Sequence, residues 1–152
     1  MSGKFKQGEY QLINPDKYLG KKPPYYRSSY ELTFFEWADK RDSVLSWGSE
    51  TVVIPYYNPV KKRQARYYVD IAITYVNKYG ETITEIVEIK PMSQCTKPKM
   101  RGGKKAEQTY LRECVAWDTN NAKWSAAEKY ARSRGWIFRI VTEESLYKRG
   151  RQ

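Results

Sequence analysis

The sequence predicts one mixed α/β domain, and three observations lead to this fold class. Segments in which apolar residues alternate with polar ones, as in β-strands, lie between segments with helical periodicity. The chain has 152 residues, which is about the length of one domain. No apolar run approaches the ~20 residues that a membrane helix needs, so we expect a soluble globular protein that is not inserted in a membrane. We therefore expect a single domain over residues 1–152, with an N-terminal extension at 1–24, a basic loop at 92–105 and a charged tail at 147–152.

The first helix is predicted from Ser28 to about Lys40. Ser28 is a favourable N-cap residue, and Glu31 stands three residues later in the position of a capping box. Glu31 therefore fits a structural role as well as a role in a functional site, and the two roles can coexist. The remaining elements are predicted as a three-strand meander at 51–57, 66–76 and 81–90, helices near 106–118 and 122–134, a C′ glycine at Gly135, and a last strand at 136–142.

The turn between the second and third strands predicts their register. Residues 77–81, NKYGE, suit a three-residue hairpin loop in which Gly80 adopts the left-handed conformation. Counting outward from Asn77 opposite Glu81 places Asp70 directly opposite Glu88, on the same face of the two strands. A shift of one residue would instead put the two carboxylates on opposite faces.

Two directly opposed carboxylates repel each other unless a positive charge lies between them. Mg²⁺ or Mn²⁺, which prefer oxygen ligands, would suit this place. The segment EIVEIKP, residues 85–91, also puts Ile86, Glu88 and Lys90 on one face of the third strand, so Lys90 supplies a second positive charge. A surface strand with an ion pair would have the same pattern. The pairing with Asp70 favours a catalytic face.

Composition narrows the function further. The chain has 28 Lys and Arg against 17 Asp and Glu, and its formal net charge of +11 favours a polyanionic partner, most often nucleic acid. Membrane surfaces and acidic proteins remain alternatives on charge alone.

There is no histidine, which excludes hydrolases with a histidine base and histidine-ligated metal sites. Cys95 and Cys114 are too few and too far apart to predict a disulfide framework or a zinc site, and the N-terminus lacks the apolar segment of a secretory signal, so we expect a reducing cytoplasm.

Five segments in this order resemble the PD-(D/E)xK nuclease superfamily. The likeness is to the endonuclease subunit of heteromeric transposases and, more closely, to the head-completion nucleases of T-even-type tailed phages. Val69 stands where the proline that names the superfamily would precede Asp70. The segments are YRSSYELTFFEWAD (26–39), SETVVIPYY (49–57), RYYVDIAITY (66–75), EIVEIKP (85–91) and KWSAAEKYARSRGWIFRIVTEESL (123–146).

The resemblance implies a restriction-endonuclease-like core, with a central mixed β-sheet flanked by helices. It implies that Asp70 and Glu88 bind a catalytic Mg²⁺ or Mn²⁺ with the backbone carbonyl of Ile89. Lys90 would orient the attacking water, and Glu31 would complete the site through the metal or its waters. The implied activity is that of a metal-dependent DNA endonuclease or end-trimming nuclease that acts in phage head completion before tail joining. A non-catalytic DNA-binding structural protein of the head is the alternative.

Basic residues near these elements are expected to contact the DNA backbone without strong sequence specificity. Portal or neck components of the phage are further expected partners. The expected location is the host cytoplasm during assembly, with the virion as a second location. The expected DNA contacts are Arg27, Lys61, Lys62, Arg63, Arg66, Lys97, Lys99, Arg101, Lys104 and Lys105.

Overall fold

The computed structural model of the chain describes residues 7–150, and for 147–150 it describes the backbone alone. The predicted tail therefore falls partly within the last helix, whereas residues 1–6 and 151–152 lie outside the described range. In chain order the elements are β1 (Gly8–Glu9), β2 (Tyr25–Tyr26), α1 (Ser29–Lys40), β3 (Val44–Ser49), β4 (Val53–Asn58), β5 (Arg63–Tyr68), β6 (Ile71–Val76), β7 (Thr82–Ile89), α2 (Ala106–Ser133), β8 (Ile137–Val141) and α3 (Glu143–Gly150).

The central sheet has four strands in the order β3, β6, β7, β8. β6 is antiparallel to both β3 and β7, whereas β8 runs parallel to β7. β4 and β5 form a separate antiparallel ribbon, and β1 pairs with β2. The predicted α/β class with a mixed central sheet and flanking helices is confirmed. No helix within residues 7–150 has the length and apolarity needed to cross a membrane.

Both faces of the central sheet are buried. On one face, Phe34 and Phe35 of α1 pack with Trp47 and Val87. On the other, the β4–β5 ribbon and α2 cover the sheet, and Ile86 lies in this second core. Because successive residues of a strand point to opposite faces, the adjacent Ile86 and Val87 each enter a different core. The end of β7 is therefore held rigidly from both sides.

The predicted ends of the first and second helical regions are confirmed. The Ser28 Oγ accepts a hydrogen bond of 3.2 Å from the Glu31 N–H and caps α1. The Glu31 Oε1 accepts a bond of 2.7 Å from the Arg27 N–H, one residue before the cap, so the capping box is offset by one position. Gly135, with a φ of 72°, ends the second region as predicted.

The two predicted helices near 106–118 and 122–134 are wrong as separate elements, because α2 is one helix of 28 residues. The polar stretch between them contains no glycine or proline. The Thr119 hydroxyl donates to the Val115 carbonyl and the Asn121 side chain donates to the Trp117 carbonyl, each one turn back. These polar side chains therefore bond within the helix and do not interrupt it.

The predicted strand at 66–76 is also wrong as a single element, and the three-strand meander with it. The Val69 N–H donates a hydrogen bond to the Val52 carbonyl, which precedes β4. The carbonyl of the next residue, Asp70, instead accepts a hydrogen bond from the Glu50 N–H, which follows β3. The chain thus leaves the β4–β5 ribbon and enters the central sheet between these two residues. β3, which pairs with β6 there, was not predicted. Its sequence VLSWGS contains glycine and serine, which are not typical strand residues. A bulge near Leu45 also interrupts the alternation of side chains between the two faces.

Candidate active site

The predicted register of β6 and β7 is confirmed. The Asn77 N–H bonds the Glu81 carbonyl at 2.9 Å, and Gly80 has a φ of 81°. The last pair of the ladder is Ile71 with Val87. Asp70 precedes Ile71 and Glu88 follows Val87, so the two carboxylate residues stand across from each other where the ladder ends.

Asp70 lies at the bend between β5 and β6, and its side chain takes the place of a backbone carbonyl as the hydrogen-bond acceptor for β7. Its Oδ2 accepts a hydrogen bond of 2.8 Å from the Ile89 N–H. Burial, and next the charge of Glu88, raise the pKa of Asp70 to about 8, although the Ile89 N–H and the Lys90 ammonium act in the opposite direction. The positive groups near Asp70 therefore do not balance the negative charge that its ionised carboxylate would carry.

Glu88 is buried, with 6% of its surface exposed, and both of its carboxylate oxygens have partners. The Tyr67 hydroxyl donates to Oε1 at 2.6 Å. The Lys90 Nζ lies 3.4 Å from Oε2. Lys90 is therefore an ion-pair partner of Glu88, on the face of β7 that the β4–β5 ribbon covers.

Glu31 approaches this site from the first turn of α1. Burial raises its pKa, the Arg27 N–H and guanidinium lower it, and the charges of Glu50 and Glu88 raise it further. Glu31 is thus within electrostatic range of Glu88, and Asp70 is within range of both. The Arg27 guanidinium lies 3.2 Å from the Glu50 carboxylate, so these two residues border the site.

The residues present fit a hard divalent cation. Among residues 7–150, no three acidic or cysteine side chains converge closely enough to hold one ion. Mg²⁺, however, is commonly bound through one or two carboxylates, with water and substrate phosphate as its other ligands. Asp70 and Glu88 supply two carboxylates, and a cation beside them would offset the repulsion that contributes to the raised pKa of Asp70.

The predicted DNA contacts fall into two exposed regions besides Arg27. Lys61 and Lys62 form the tip of the β4–β5 ribbon, with Arg63 and Arg66 along β5. Arg63 stands seven positions before Asp70 along extended chain, which corresponds to roughly 20 Å at about 3.3 Å per residue. The other five residues lie in the loop between β7 and α2, where the Arg101 guanidinium is 3.7 Å from the Glu113 carboxylate.

Sequence reasoning missed three residues around the carboxylates. Tyr67 was not found because its strand belongs to a different sheet from β7, so no register relates the two. The Lys123 ammonium of α2 lies 5.6 Å from the centre of the Tyr67 ring. Glu50 has a φ of 55°, a strained conformation for a non-glycine residue that is often found at functional sites. No local pattern in the sequence signals these contacts.

A divalent cation held by Glu88 would be bound about 10-fold more weakly in Tyr67→Phe, so that more Mg²⁺ would be needed to fill the site, because hydrogen-bond partners of metal ligands typically affect metal affinity by 10–100-fold. The substitution removes only the hydroxyl that holds Glu88. Tyr68→Phe is the matched control, since Tyr68 is 48% exposed on the same strand and should behave as wild type. Equal Mg²⁺ requirements in the two variants would show that the Tyr67 hydroxyl does not position Glu88.

A mixed sheet flanked by helices, with opposed carboxylates and a lysine at the end of its central hairpin, defines the restriction-endonuclease-like class of nuclease folds. Within that class, the chain belongs to the family described as TnsA-like endonuclease N terminal, whose sequence model matches residues 41–143. The matched range includes Asp70, Glu88 and Lys90, whereas Glu31 lies before it. The chain is also similar to the Head completion nuclease of Enterobacteria phage T4, with 37% identity over 143 residues, which cover 91% of this chain and 92% of that protein. The resemblance of the sequence to head-completion nucleases and to the endonuclease subunit of heteromeric transposases is confirmed.

Proposed function

We propose that this protein is a Mg²⁺-dependent deoxyribonuclease that cuts or trims DNA in phage head completion, before the tail joins. The observation that carries the proposal is the pair of carboxylates across the end of the β6–β7 ladder, with Lys90 at 3.4 Å from Glu88. Similarity over nearly the whole length of a head completion nuclease supports the biological setting. The net charge of +11 supports a DNA substrate.

Each residue of the site has a separate chemical task in this proposal. Asp70 and Glu88 would hold the cation, together with the backbone carbonyl of Ile89. Mg²⁺, or Mn²⁺ in its place, supplies Lewis-acid activation of the phosphate and of a water nucleophile. The Lys90 ammonium would orient that water and offset the charge that develops on the phosphate. Glu31 would bind the cation or its waters from α1, in addition to its bond with the Arg27 N–H.

The test is the incubation of the purified protein with supercoiled and linear duplex DNA. We expect nicking or trimming with Mg²⁺ or Mn²⁺ and none with EDTA. Binding without cleavage under all metal conditions would contradict the proposal and support the alternative, a DNA-binding structural protein of the head.

We further propose that the protein acts at the filled head in the host cytoplasm and docks there on portal or neck components, with the virion as a second location. The name of the similar phage protein supports this setting. Affinity capture from infected cells, followed by fractionation of heads and finished particles, tests it. Recovery of the protein only apart from heads would contradict it.

Replacing Lys61, Lys62 and Arg63 with Ala should reduce the dependence of DNA affinity on salt. Each lost phosphate contact removes about 0.9 from the slope of log affinity against log salt, so the slope should decrease by up to about three. Because these residues lie roughly 20 Å from Asp70, the phosphates that they contact would be about six base pairs from the cut. Binding titrations in EDTA at several salt concentrations measure the slope.

The matched control replaces Lys129, Arg132 and Arg134 with Ala, which also removes three exposed positive charges. These residues lie at the C-terminal end of α2, beside the start of β8. Because β8 runs parallel to β7, they are at the end of the sheet opposite Glu88. Equal slopes for the two triple variants would show that the tip of the ribbon does not contact DNA.

A further inference from the structure

A cavity of about 630 Å³ lies between the β7–α2 loop and the N-terminal half of α2. Its volume is within the range of pockets that bind small organic groups. The loop contributes Lys97, Lys99 and Arg101, and the helix contributes Arg112, so four cations face one carboxylate, that of Glu113. The cavity is therefore suited to an anionic ligand.

Trp117 forms part of the same wall, and its side chain is partly exposed. It belongs to neither hydrophobic core, and the α2 residues that do enter the core begin at Ala122. Within the described part of the chain, no aromatic ring pair or cation–π contact includes the indole of Trp117. A flat aromatic side chain among exposed cations is the arrangement by which proteins bind single-stranded nucleic acid, with the base stacked on the ring and the phosphate near the cations.

The cavity adjoins the candidate active site. Its wall includes Ser93 and Gln94, in a tight turn that begins directly after Lys90 and Pro91. The Gln94 N–H bonds the Pro91 carbonyl at 2.9 Å, which keeps this turn compact at the end of β7. A strand that passes Lys90 would therefore reach the cavity within a few nucleotides.

We propose that this cavity binds an unpaired nucleotide of the DNA substrate, with its base on Trp117 and its phosphate beside Arg112 and the loop lysines. The inference rests on the proposed nuclease function and narrows its substrate class to DNA with a single-stranded end or flap. The side-chain amides of Gln94 and Asn120 in the same wall can bond base edges.

The test compares a blunt duplex with the same duplex carrying a single-stranded extension, in separate 3′ and 5′ forms. Wild-type protein should bind one extended form about tenfold more tightly in EDTA, which is the size of effect that one stacked base produces. It should also cut that form faster with Mg²⁺. Trp117→Ala should bring the binding ratio close to one, whereas Trp117→Phe, which keeps a ring, should retain most of it.

Arg112→Gln and Arg132→Gln form a matched pair, because both residues are exposed on α2 and each variant loses one positive charge. Arg112→Gln should lower the preference for the extended DNA, and Arg132→Gln should not. A wild-type ratio of one, or a ratio that neither Trp117→Ala nor Arg112→Gln lowers, would overturn the inference. Because the binding ratio is measured in EDTA, it does not depend on cleavage. The nuclease proposal is tested separately and is contradicted if no DNA is cut with any metal.

Discussion

Asp70→Asn should lower metal-dependent DNA cleavage by at least about 100-fold while DNA affinity stays equal or rises. Loss of groups that only support metal ligands already costs 10–100-fold, and Asp70 is proposed as a ligand itself. Asparagine can still accept the hydrogen bond from the Ile89 N–H, so the bend at the start of β6 should persist. The variant also carries one negative charge fewer, which favours binding to phosphate.

The measurement pairs single-turnover cleavage with a binding titration in EDTA, so that catalysis and affinity are read separately. Asp42→Asn is the control, since Asp42 is an exposed residue outside the candidate site and the charge change is the same. Cleavage by Asp70→Asn at the rate of Asp42→Asn would exclude Asp70 from the site. In a head-completion assay, infectious particles made with Asp70→Asn would contradict a nuclease role in assembly.

Features of the fold that depend on local bonds were predictable from the sequence. The cap of α1 requires only Ser28 and Glu31, and the register of β6 and β7 requires only the short turn at Gly80. Both are set by hydrogen bonds between residues at most four positions apart. The opposition of Asp70 and Glu88 follows from that turn by counting, which is why the centre of the candidate site could be predicted.

The features that were missed depend on contacts between distant segments. The division of the 66–76 region into β5 and β6 arises because Val69 bonds Val52 whereas Asp70 bonds Glu50. The apolar alternation continues across this change of partner, so the sequence pattern shows no break. Tyr67 reaches Glu88 only because the β4–β5 ribbon folds over the sheet. Such contacts exist only once the tertiary fold has formed.

The same division explains why the carboxylates meet in a confined space. β6 begins at Ile71, directly after Asp70. The Ile89 N–H therefore donates its hydrogen bond to the side chain of Asp70 and not to a backbone carbonyl of β6. Tyr67 and Val69, which precede it, bury the adjoining face of the sheet. The bend therefore shields Glu88 from water almost completely and Asp70 in part, at the end of the ladder where the two residues stand across from each other.

Without a divalent cation, the protein should lose stability as the pH rises from the ordinary carboxyl range to about 8. The folded state holds Asp70 protonated, because burial and then the charge of Glu88 raise its pKa to about 8, whereas in the unfolded chain the group ionises near pH 4. Between these values the folded state binds more protons than the unfolded state, so the free energy of unfolding falls as the pH rises. The contribution is complete below about pH 4 and is lost once the pH has passed through about 8.

Thermal unfolding of wild type and Asp70→Asn in EDTA, from pH 5 to pH 9, isolates this contribution, because the other titrating groups are common to both proteins. The stability of wild type relative to Asp70→Asn should decrease steadily as the pH rises. Mg²⁺ should then raise the melting temperature of wild type at high pH by binding the ionised pair, and it should have little effect on Asp70→Asn. Parallel curves in EDTA, or an equal effect of Mg²⁺ on both proteins, would mean that Asp70 and Glu88 do not form a shared cation site.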